Sequence, residues 1–84
     1  MNVTVTHPGY RQTISPALAV AVVAAGLRAG HTVTVTRPGH PTRWALTANH
    51  RAVTATAVNP NLFALDSAAP AWVERLAAAA ADLL

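Results

Sequence analysis

The chain has 84 residues, 52% apolar and 11% charged, with six arginines, no lysine, three acids, four histidines and no cysteine. That length allows one small domain, residues 1–84, and excludes two independent cores. The apolar fraction excludes a disordered chain, and the lack of cysteine excludes both disulfides and a cysteine zinc site. A chain of this size buries only about 60% of its unfolded surface, so a partner subunit is the candidate for added stability. The net charge is only +3. The pI near 11.3 reflects few acids and titration on arginine. Twenty alanines and the exclusive use of arginine fit the codon bias of a GC-rich host before they fit phosphate recognition. Arginine is nevertheless the better bidentate phosphate reader.

Met1 to Thr6 carries neither a basic n-region nor an apolar h-region, so no targeting leader is expected. The longest apolar run, Ala17 to Leu27, has eleven residues, against about 20 for a bilayer span. The expectation is a soluble, cytoplasmic protein.

The segment Val3-Thr4-Val5-Thr6-His7-Pro8-Gly9 recurs as Val33-Thr34-Val35-Thr36-Arg37-Pro38-Gly39, with six of seven positions identical. Alternating valine and threonine have period two, which predicts two strands, each ended by Pro-Gly. The valines should face the core and the threonines the other side. Between them Ser15 is a good N-cap, Pro16 fits the first helical position, and Gly30 fits the position past the end. The spacing predicts a helix over Ala17 to Ala29. Strand, helix and strand together suggest a βαβ unit with parallel strands and a right-handed crossover.

A meander is expected next. Arg43 to Asn49 and Ala52 to Val58 read as strands joined at Asn49-His50, and Asn59-Pro60-Asn61 is a breaker. Leu62 to Leu65 is either a core-plugging loop or a fifth edge strand. A last helix should start near Asp66-Ser67 or at Pro70 and reach about Leu84. Its apolar face would be Trp72, Leu76 and Leu83, flanked by Val73 and Ala80, with Glu74, Arg75, Ala78 and Asp82 outward. The predicted fold is a single-domain α/β (α+β) two-layer sandwich of order β-α-β-β-β-α. It has a four-stranded mixed sheet and both helices on one face.

The first helix is apolar nearly all round, which suggests burial on more than one side. Its small-residue strip, Ala17, Ala21 and Ala24, is a candidate homodimer contact, or else packs on the last helix. Parallel strands would bring both Pro-Gly loops and the first helix N-terminus to one edge. The candidate anion or nucleic-acid site there is Arg11, Arg37 and Arg43 with His7, His40, Tyr10 and Ser15. Arg28, His31, His50 and Arg51 should gather at the opposite end in structural roles. The threonine face should be flat and uncharged, solvated or self-associating.

Signals for catalysis are weak. The expected topology splits the histidines into His7 with His40 and His31 with His50, with no carboxylate nearby to complete a metal site. Asp66, Glu74 and Asp82 all lie in or beside the last helix, and Ser15 and Ser67 lack a G-x-S-x-G setting. No enzyme activity, cofactor or metal is expected. The leading reading is a non-catalytic interaction module, self-associating and binding a protein partner, such as a small phage or mobile-element accessory protein. The alternative is a binder of nucleic acid or a phosphate ligand through the arginine-rich pole. A continuous basic pole would favour the alternative, and scattered charge the first reading.

Overall fold

The computed structural model of the protein describes residues 1–40, 42–58 and 69–84. Among these residues seven elements follow in order. They are β1 Val3–His7, β2 Tyr10–Ile14, α1 Pro16–Arg28, β3 Val33–Thr36, β4 Arg43–Asn49, β5 Ala52–Val58 and α2 Ala71–Asp82. The five strands form one sheet of order β2-β1-β3-β4-β5, every neighbouring pair antiparallel. The fold is therefore small α+β, with two helices and a five-stranded antiparallel sheet. The expected four strands and parallel pairing are both corrected.

The cause of the difference is local. Gly9 adopts φ +81°, so Pro8-Gly9 makes a two-residue turn and His7 pairs directly with Tyr10. The chain reverses at once, and β2 occupies residues read as a loop. Pro38-Gly39 makes the same turn, with Gly39 at φ +85° and the His40 N–H donating to the Arg37 carbonyl at 3.0 Å. In sequence Tyr10-Arg11 offers two N–H donors where the second copy has His40-Pro41, and proline has none to give a ladder. β4 accordingly begins only at Arg43. Since β2 and β3 are each antiparallel to β1, they run in the same direction with β1 between them. The crossover helix is real, but its first strand is β2.

The predicted signals for α1 work as expected. The Ser15 Oγ accepts from the Leu18 N–H at 3.3 Å, and Pro16 opens the helix. At the other end the Gly30 N–H donates to Leu27 and the His31 N–H to Gly26, both at 3.0 Å. With Gly30 at φ +85° this is a Schellman closure. Pro70 is the N-cap of α2, with no side-chain cap bond. The alternative start at Asp66-Ser67 and the Leu62–Leu65 run lie outside the described residues.

The core sits between the sheet and both helices. Val3, Val5, Val33, Val35, Trp44 and Leu46 meet Ala19, Val23, Ala24 and Leu27 of α1 and Val73, Leu76, Ala77 and Ala80 of α2. The valines face inward as expected. Helix rotation differs from expectation. Small residues of α1 face the sheet, so Ala24 belongs to the core and to no free strip, while Leu18 points out. A Cβ on Gly26 would lie 2.7 Å from Val33 Cγ2 and 3.4 Å from His7 Cδ2. That proximity is why alanine and glycine line this side: the branched valines of the sheet already fill the space between the layers. In α2, Glu74, Arg75, Ala78 and Asp82 are exposed as predicted, but Leu83, expected on the apolar face, caps the helix just past its last turn and is exposed. No helix among the described residues is long and apolar enough to cross a membrane.

Candidate anion site on the open sheet face

Residues directly opposite across a strand pair share a face. The register therefore builds one complete row on the face away from the helices: Arg11, Thr6, Thr34, Ala45 and Thr56. Beside it Thr13, Thr4 and Thr36 are aligned across β2, β1 and β3. The Thr4 and Thr13 hydroxyls are 2.8 Å apart and hydrogen-bonded. The Thr36 hydroxyl donates to the Thr42 carbonyl at 3.3 Å.

Near the end of β3 this face dips into a shallow hollow of about 440 Å³. Thr4, Thr6 and Thr36 form part of its lining, with Arg11, Arg37, His40 and Arg43 around them. β2 supplies Arg11, the second Pro-Gly loop supplies Arg37 and His40, and β4 begins with Arg43. Arg37 is half-buried, and its guanidinium carbon lies 5.5 Å from the centre of the Trp72 ring, a cation–π placement. Arg11, Arg43 and His40 border this hollow with the three threonines, while the Arg37 guanidinium lies over Trp72 in the helix layer, and no described carboxylate is among the lining residues. Both described acids, Glu74 and Asp82, are on α2 in the other layer. Such a surface is suited to an anion with several oxygens, because the planar guanidinium fork matches phosphate bidentately.

Four of the seven predicted pole residues are thus brought together, and three are not. His7 and Tyr10 lie at the opposite end of β1, because β1 runs antiparallel to β3 and not parallel. There His7 stacks between Tyr10, at 5.0 Å and 8°, and His31, at 5.9 Å and 7°. Ser15 is used as the helix cap, and the first turn of α1 belongs to the helix layer. The expected pairing of His7 with His40 and His31 with His50 is likewise replaced by His7 with His31. His50 holds the β4–β5 turn at φ +58°. Among the described residues no three histidine or acidic side chains converge as a metal group would need. Arg28 donates from its guanidinium to the Leu83 carbonyl, tying the ends of the two helices together. Of the predicted dimer strip, Ala17 and Ala21 are exposed and Ala24 is buried.

In sequence Thr4, Thr6 and Thr36 read as part of a flat uncharged face, solvated or self-associating, and not as members of the candidate anion site. Their place in the hollow follows from the antiparallel register of β1 with β3, and the turn at Pro8-Gly9 is the signal that leads to it. Compared with protein-family models, curated proteins and solved structures, the chain matches none.

Proposed function

We propose that the protein is a non-catalytic binding module whose open sheet face takes a phosphate-bearing polyanion, such as a nucleic-acid backbone. The observation that carries this reading is the grouping of Arg11, Arg43 and His40 around three threonines on one face, with Arg37 at its edge. Among the described residues the face holds no Trp, Tyr or Phe side chain, since Trp44 is turned into the core, Tyr10 packs against the core and Trp72 belongs to α2. Base stacking therefore contributes nothing there, and binding should follow charge and not sequence.

Arginine contacts to phosphate release counterions, so affinity should fall steeply with salt. Two such contacts, from Arg11 and Arg43, give a log–log slope of roughly −1.4 to −1.8. Arg11→Ala or Arg43→Ala should each reduce that slope by about one. The experiment is a salt titration of oligonucleotide binding by the wild type beside these variants. A slope indifferent to both arginines, or no binding at about 50 mM salt, contradicts the reading.

A second proposal rests on α1. Leu18 is 52% exposed, and its neighbours Ala17, Ala21 and Ala25 are exposed with it. The helix carries no charge before Arg28. An uncharged outward helix face on so small a domain favours a homodimer or a protein partner docked there.

A further inference from the structure

In the helix layer, α1, α2 and the end of the sheet border a half-open cavity of about 430 Å³, within the usual range for small-molecule sites. Its apolar lining includes Val3, Val20, Trp72 and Leu76, and its charged residues are Arg37 and Arg75. Among the described residues no acid, amide or hydroxyl side chain contributes to it. Pro16 and Ala17 bring the first turn of α1, the positive end of its dipole, to the same cavity. We infer that this cavity binds a small amphipathic acid: a medium-length apolar tail against Trp72 and Leu76, headed by a carboxylate between the Arg37 and Arg75 guanidiniums.

Charge complementarity selects this occupant. Two cations bordering an apolar hollow match an anionic head on an apolar body, and neither half of the site suits a sugar or a base, which need hydroxyl or amide partners. Arg37 rests over the Trp72 ring, so little side-chain freedom remains for it to lose on binding. Burial of the tail supplies the affinity, and the guanidiniums supply the preference for an acid. The site is separate from the hollow on the open face and shares only Arg37 with it.

The test is a titration of the full chain with decanoate, below micelle formation, following the indole N–H signals of Trp72 and Trp44 by NMR. Saturable movement of Trp72 is expected, while Trp44, buried in the core, stays. Arg75→Ala should weaken decanoate about two- to fivefold, as an exposed ion pair does, without altering decanol binding. Ala79→Trp should fill the cavity and abolish binding of both. Equal affinity for decanol and decanoate, or no saturable shift of Trp72, would overturn the inference. It would also be overturned if Phe63→Ser moved the Trp72 signal while decanoate did not, because the cavity would then belong to residues 59–68 of the chain itself. Arg11→Ala and Arg43→Ala should leave decanoate binding unchanged, and Arg75→Ala should leave oligonucleotide binding unchanged, so the two sites stand or fall separately.

Discussion

Gly26 sets how near α1 comes to the sheet. A glycine inside a helix costs about 1 kcal/mol against alanine, and here the cost is offset by contact. An added Cβ would press on Val33, a stiff β-branched side chain with no free surface. Overpacking of this kind costs roughly 1–3 kcal/mol. Gly26→Ala is therefore expected to lower stability by a net of about 1 kcal/mol despite its better helix propensity, read as a lower urea midpoint. An unchanged or higher midpoint would mean that Val33 moves aside. The sequence gives no hint of this contact, because a glycine in an apolar run reads only as a weak point of a helix. Gly9 is different, since Pro-Gly between alternating residues is a legible turn. Its consequence was misjudged because Tyr10 to Ile14 is mostly polar and resembles a loop. Only Tyr10 and Ile14 of that strand pack against the core cluster, as expected of an edge.

At the scale of elements, the strong local signals survive. The Ser15-Pro16 start and Gly30 close of α1 form as read, as do β1, β3, β4 and β5 and the outward face of α2. Helix rotation was less legible. In sequence α1 is apolar nearly all round, and the structure buries Ala19, Ala24 and Gly26 together with Val23 and Leu27 against the branched valines. Leu18 is left outward as a result. If that face is an interface, the protein should sediment as a dimer at micromolar concentration, and Leu18→Glu should render it monomeric without loss of fold. A wild-type monomer at high concentration would remove the self-association proposal.

At the scale of the whole molecule, one hairpin decides where the charges go. With β1 parallel to β3, the histidine and tyrosine of the first Pro-Gly loop would have joined the arginines of the second. With β1 antiparallel, the rings gather around His7 at one end and the guanidiniums at the other. The arginine half of the site was legible because Arg37 and Arg43 are close in sequence and flank one loop. Arg11 reaches them by a different route, across the face of the sheet through Thr6. The threonines enter because long-range register, which no local pattern encodes, sets them between the arginines. The described acids are confined to α2, so the open face is basic although the net charge is small. The most direct test of this arrangement is amide chemical-shift mapping during titration with a short oligonucleotide. The expected result is that Thr4, Thr6, Arg11, Thr36 and Arg43 shift together while Glu74 and Asp82 stay in place. Shifts centred instead on His7, Tyr10 and His31, or on the helices, would contradict it.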